Sequence, residues 1–237
     1  MEFVEVQGKT FKSPRIDSLP ETDHAYRFID CTVTGGSIGA KARRPAERLV
    51  VRNISAVNCM LDWVIVGPVV FDQVEFDGLR MTKILWLPGC AFNQCILRGK
   101  IEQILNFENA DPVAPRSDSH NHQFIEDNDR IHREATWTLD ISEAEFDDFD
   151  LRGVPGETVR INSHNQVCVD YKKALQAQES GAFAELQGFP KLVMENGIKR
   201  RKDSKYNFVL QTNSGSEYYR DMQQLFELLT VNGLCLT

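Results

Sequence analysis

Apolar and polar residues alternate over unusually short stretches in the first two thirds of the chain. From Leu49 they fall into groups of five: Leu-Val-Val-Arg-Asn, Ile-Ser-Ala-Val-Asn, Cys-Met-Leu-Asp-Trp and Val-Ile-Val-Gly-Pro. From Val69 the grouping runs Val-Val-Phe-Asp-Gln, Val-Glu-Phe-Asp-Gly, Leu-Arg-Met-Thr-Lys and Ile-Leu-Trp-Leu-Pro, with Gly89 as an extra residue. Cys90 to Gly99 and Ala144 to Gly153 each supply two more groups. The first and third places are mostly apolar, the second and fourth mostly polar. The fifth is often Gly, Asn, Asp, Gln or Pro. Two inward side chains around one outward side chain make a minimal strand. A polar or glycine residue then turns the corner.

A longer period contains the shorter one. Phe28, Val51, Phe71, Phe92 and Phe146 each open a related run of eight residues ending in Gly or Asn. Where the pattern is unbroken, the copies lie about 20 residues apart, as four short sides of a stacked coil require. The fold expected is mainly β: a right-handed parallel β-helix with four sides. A β-sandwich of short strands would also give frequent turns, but it needs no 20-residue lock.

The runs Ala144-Glu-Phe146-Asp-Asp, Phe149-Asp-Leu151-Arg-Gly153 and Val74-Glu-Phe76-Asp-Gly78 resemble the pentapeptide-repeat family. The resemblance covers residues 26–108 and 139–163 and implies a right-handed quadrilateral β-helix. First positions such as Leu49, Ile54, Leu79 and Phe149 are bulkier than the family's small residue. The register breaks at 36–48 and after Gly99. Both departures point to a wider or less square cross-section.

The expected organisation is an N-terminal segment or cap at 1–25, a β-helix at 26–163, and a helical C-terminal cap at 164–237. Residues 36–48 read as a basic bulge and 109–134 as a long polar loop interrupting the helix. Asp170 to Ser180 predicts a helix stopped by Gly181, and Tyr206 to Thr212 a strand. Ser214 and Glu217 suggest a capping box before a helix carrying Met222, Leu225, Phe226 and Leu229 on one face. Open solenoid ends favour end-to-end assembly, so a homodimer through a cap is allowed.

Composition narrows the class. The chain has 237 residues, 42% of them hydrophobic, with a formal charge of -7. That charge argues against general nucleic-acid binding. No apolar run is long enough to span a bilayer. Met1-Glu2-Phe3-Val4-Glu5 has no basic region or long apolar run, which predicts no signal peptide and a cytoplasmic location. Cys31, Cys59, Cys90 and Cys95 fall on first positions and read as inward filler, which fits a reducing compartment.

Two clusters carry candidate chemistry. Glu143, Glu145, Asp147, Asp148 and Asp150, with Asp72, Glu75 and Asp77 on other coils, form a candidate acidic binding surface. His120 and His122 are weak metal candidates without zinc-type spacing. No catalytic residues and no cofactor are assigned, because phosphate-loop, nucleophile-elbow and metalloprotease motifs do not occur in the sequence. These features indicate a non-enzymatic scaffold that binds another protein, as an inhibitor, immunity or protective protein. Some pentapeptide-repeat proteins protect topoisomerases by resembling duplex DNA, which is a special case of this reading. A carbohydrate-acting or carbohydrate-binding β-helix, with Asp147, Asp148 and Asp150 as its carboxylates, is the alternative.

Overall fold

Short strands joined by tight corners dominate residues 3–111 because the apolar period along the chain is two. The computed structural model describes residues 3–18, 25–111 and 118–236. It divides into two compact units, 1–154 and 155–237. The division falls earlier than the end of the repeat suggests.

In the first unit the chain passes through parallel sheets in a fixed order. The opening pass contributes β1 (Phe3–Gln7), β2 (Thr10–Lys12) and β3 (Arg15–Ile16). The next contributes β4 (Ala25–Ile29), β5 (Thr32–Thr34), β6 (Ser37–Ile38) and β7 (Leu49–Arg52). Then come β8 (Ile54–Val57), β9 (Met60–Asp62), β10 (Ile65–Val66) and β11 (Val69–Asp72). A further pass is β12 (Glu75–Asp77), β13 (Arg80–Met81), β14 (Leu85–Pro88) and β15 (Ala91–Asn93). Two long strands, β16 (Cys95–Phe107) and β17 (Leu139–Leu151), complete the unit.

The first sheet holds β1, β4, β8, β12, β16 and β17, with β14 also paired to β16; the second β2, β5, β9 and β13; the third β3, β6 and β10; the fourth β7, β11 and β15. All these pairings are parallel. Ser55 lies opposite Glu75, Leu49 opposite Val69 and Met60 opposite Arg80, each one 20-residue period away. Within the N-terminal segment, residues 3–16 supply three paired strands: Phe3 pairs with Ala25 and Thr10 with Thr32.

The corners explain the polar fifth residue. Asn53, Asn58, Gln73 and Gln94 adopt left-handed φ near +55° or slightly below. Asn tolerates this region better than most residues. At Gly36 only glycine serves: φ is +92°, and a Cβ there would lie 2.2 Å from the Pro14 carbonyl oxygen.

One group of five shifts by a residue. Grouping from Ile84 places Ile84 and Trp86 at the apolar first and third places. In the structure Leu85 and Leu87 are buried, whereas Ile84 is 39% exposed and Trp86 54%. The extra residue sits at the corner before Leu85, and Gly89, with φ +62°, is a regular corner residue.

The polar loop expected at 109–134 is largely a helix, α1 (Ser119–Glu134). Asp118 caps it by accepting the His120 amide at 2.9 Å. Asn121, Phe124, Ile125, Asn128 and His132 form its buried stripe, so three of its five positions are polar. Residues 112–117 lie outside the described ones.

The second unit contains β18 (Val159–Arg160), β19 (Gln166–Val169), α2 (Tyr171–Glu179), α3 (Gly188–Arg200), β20 (Phe208–Gln211) and α4 (Tyr219–Val231). β19 and β20 pair antiparallel. Phe208, Met194, Leu225 and Leu229 anchor its core. Asp170 caps α2 through the Lys173 amide, as the expected helix start requires. The Ser214–Glu217 box does not form. The helix begins at Tyr219 without a side-chain cap, because Ser216 instead accepts the Tyr218 amide in a local turn. The periodicity gave no sign of α3.

Candidate functional site

The repeat breaks at 36–48 and again after Gly99, and the fold brings the two interruptions together. Pro45–Glu47 forms a short 3-10 turn whose neighbour is α1. His120 Nδ1 lies 3.1 Å from the Arg43 carbonyl oxygen. Arg48 then enters the interior with only 1% of its side chain exposed. It donates to Asp127, to Asn128 and to the Gly89 carbonyl, and its guanidinium stands 5.5 Å from the Phe124 ring centre.

His132 completes this buried polar network. Its Nε2 accepts the Phe92 amide at 3.3 Å. That bond places the proton on Nδ1. Burial, reinforced by the Arg48 charge, lowers the imidazole pKa to about 4. The ring is therefore neutral near pH 7, as its acceptor role requires. Burial raises the Asp127 carboxyl, but hydrogen bonds from Arg130 and the Arg48 charge outweigh it and hold the pKa below the usual value. The network fastens α1 beside β15, the last strand of the fourth sheet.

Between α1 and the outer face of the fourth sheet lies a groove of about 420 Å³. Val50 and Val70 form its floor. Arg52, Asp72 and Asn93 run across the adjoining row: Asp72 accepts from Arg52 Nε at 2.6 Å and from Asn93 Nδ2 at 2.8 Å. Arg130 stands on the helix wall, held by Asp127 at 2.8 Å and Glu134 at 2.9 Å. Its charges are balanced within the groove.

The acidic positions are distributed among cations. Glu75 and Glu143 both pair with Arg98, at 3.0 and 3.3 Å. Glu145 lies opposite Lys100, whose ammonium is 3.7 Å from Asp147. Asp72 belongs to the groove just described, away from β12 and β17. Asp77 lies opposite Arg98. Asp150 is buried and pairs with Arg152 at 2.8 Å. Asp148 lies opposite Gln103, and its side chain is outside the described ones. Basic residues thus interleave with the acidic set. His122 pairs with Glu126 at 3.2 Å on the exposed helix face. Among the described residues no group of three His, Cys, Asp or Glu is placed to hold a metal.

Each repeat cysteine has its thiol over the preceding pass. Cys31 approaches the Val6 carbonyl at 3.3 Å, Cys90 that of Gly67 at 3.3 Å and Cys95 that of Phe71 at 3.2 Å. Burial pushes the Cys90 and Cys95 thiols up to about 12. All six cysteines are free.

The most exposed large apolar groups near these strands are Trp63 at 68%, Ile65 at 66% and Trp86 at 54%. Ile65 and Trp86 point outward from β10 and β14, which lie side by side. Trp63 occupies the corner before β10 with φ +55°, a costly conformation for a bulky side chain. The Lys83 ammonium stands 5.3 Å from its ring centre. Trp86 also meets Phe107 edge-on at 5.5 Å. The sequence pattern missed this surface because the one-residue shift at Ile84 disguised Trp86 as an interior residue.

No family model matches the chain, and comparisons with curated proteins and with solved structures gave no match. No helix among the described residues is long and apolar enough to cross a membrane.

Proposed function

We propose that the first unit is a right-handed, four-sided parallel β-helix of pentapeptide-repeat character that serves as a non-enzymatic scaffold for binding another protein. The fold reading is supported by the order in which the chain visits its sheets from β4 to β13 and by the 20-residue pairing offsets. The role reading rests on one observation: Trp63, Ile65, Ile84 and Trp86 are more than a third exposed, around β10 and β14. Contiguous exposed apolar residues mark interaction sites, and tryptophan is enriched among residues that dominate binding energy. The two isoleucines favour a protein over a sugar, which would use the indoles but gain little from aliphatic branches. Inhibitor, immunity or protective activity is the form of binding that best suits a rigid scaffold with one exposed apolar face. The free thiols fit a reducing, cytoplasmic setting.

The test compares the intact chain with Trp86→Ser and with the charge reversal Glu143→Lys in affinity capture from its native host. A protein retained by the parent and lost by Trp86→Ser supports this surface. Equal retention by Trp86→Ser with loss in Glu143→Lys moves the site to the acidic positions. Failure of the parent to retain any protein overturns the scaffold reading.

A further inference from the structure

We propose that the interior of the first unit binds a hydrocarbon chain headed by a carboxylate. Residues from all four sheets line a cavity of about 280 Å³ whose lining side chains are all apolar. An engineered apolar cavity of roughly 150 Å³ stays dry and admits benzene or xenon. This one is larger and equally poor in partners for water.

Its lining residues come from successive passes. Phe11 lies on β2, Val33 on β5, Leu61 on β9, Phe76 on β12, Leu97 on β16 and Leu139 on β17. The space therefore extends along the stacking direction, across strands spaced roughly 4.8 Å apart. A linear aliphatic chain suits that shape better than a compact ring. Bulky first-position residues such as Leu49, Ile54 and Leu79, which set the side walls apart, are among the lining groups.

The cavity reaches the surface in the opening pass. Phe11 lines it and is also 37% exposed. β1, β2 and β3 are each the outermost strand of their sheet. Three exposed cations belong to the same pass: Lys9 and Lys12 stand near Phe11 in the chain, and Arg15 follows Pro14. Among the described residues of this pass the acids are engaged, Glu5 by Arg27 at 4.0 Å and Asp17 by Lys41. A carboxylate at this end would meet these cations while its tail lay among carbon atoms.

Calorimetric titration of the purified full chain with decanoate tests the idea, with decanol as the uncharged probe. The expected result is saturable binding of one decanoate per chain. Lys9→Glu/Lys12→Glu should weaken decanoate about tenfold and leave decanol unchanged. Ala56→Leu, which fills the middle of the cavity, should abolish binding of both. Val33→Leu is a second filling variant should Ala56→Leu melt at a lower temperature than the parent. Trp86→Ser should bind like the parent, which separates the interior from the exposed apolar face. Absence of saturable binding, equal binding by both filling variants, or loss in Trp86→Ser would overturn the interior site. Decanol binding as tight as decanoate would overturn the carboxylate specificity.

Discussion

His132 on α1 accepts the backbone amide of Phe92 on β15 at 3.3 Å. This bond uses a neutral imidazole in place of the carbonyl that another strand would offer. It shows how a helix can cover the edge of a parallel sheet, where an unpaired amide would otherwise be left buried.

Stability should therefore fall in mildly acidic solution. The imidazole pKa is about 4 in the folded chain, below its ordinary value of 6.5. The unfolded chain takes up the proton first as pH drops through 6.5. The contribution of His132 is fully present above that pH and is lost progressively down to about 4. The expected loss is roughly 3 kcal/mol over that window. Urea unfolding at a series of pH values should show this slope, and His132→Gln should flatten it. An unchanged slope in the variant would exclude His132 as the cause.

Arg48 and Asp127 should show strong coupling. Asp127→Ala leaves a guanidinium whose side chain is 1% exposed without its carboxylate. Breaking one partner of such a pair typically costs about 3–5 kcal/mol. The remaining bonds from Arg48 to Asn128 and Gly89 place the expectation at the lower end. Arg48→Met/Asp127→Ala should recover part of the loss. A double-mutant cycle in chemical denaturation measures it, and additive effects would show that the pair is uncoupled.

The repeat was legible because two constraints agree at nearly every pass: an apolar interior residue every second position and a corner residue tolerant of positive φ. It failed where one of them was supplied differently. At Thr82–Ile84 the corner takes an extra residue, which reverses the facing of Ile84 and Trp86. In α1 the buried face includes Asn121, Asn128 and His132, so no apolar period announces a helix. Among the candidate site residues, Glu143 and Glu145 meet Arg98 and Lys100 through a pairing between β16 and β17 that skips α1. No local pattern encodes that register.

Thiol labelling should separate the cysteines by burial. Cys90, Cys95 and Cys168 have pKa values pushed up to about 12, chiefly by desolvation. Cys235 is only partly buried, although burial raises its thiol as well. Under native conditions at pH 8 the first modification should fall on Cys235, with all six reacting after denaturation. Peptide mass mapping against time decides this. Rapid native labelling of Cys90 would contradict the packing of β14 and β15.

Trp63 offers a way to separate stability from binding. Its φ of +55° belongs to a region where a non-glycine residue costs about 1–2 kcal/mol. Asn is enriched there, and Asn53 and Asn58 already serve at equivalent corners. The indole is 68% exposed, so its removal forfeits little burial, although it gives up the contact with Lys83 at 5.3 Å. That contact is worth about 0.5–1 kcal/mol at an exposed site. Trp63→Asn should therefore melt at the same temperature as the parent or slightly higher. If the indole serves the protein-binding surface, the same variant should lose affinity for the captured partner. Strain tolerated at an exposed aromatic has a functional explanation only when both results hold. A variant that is destabilised would show that the indole is there for packing, and one that binds normally would remove Trp63 from the interface.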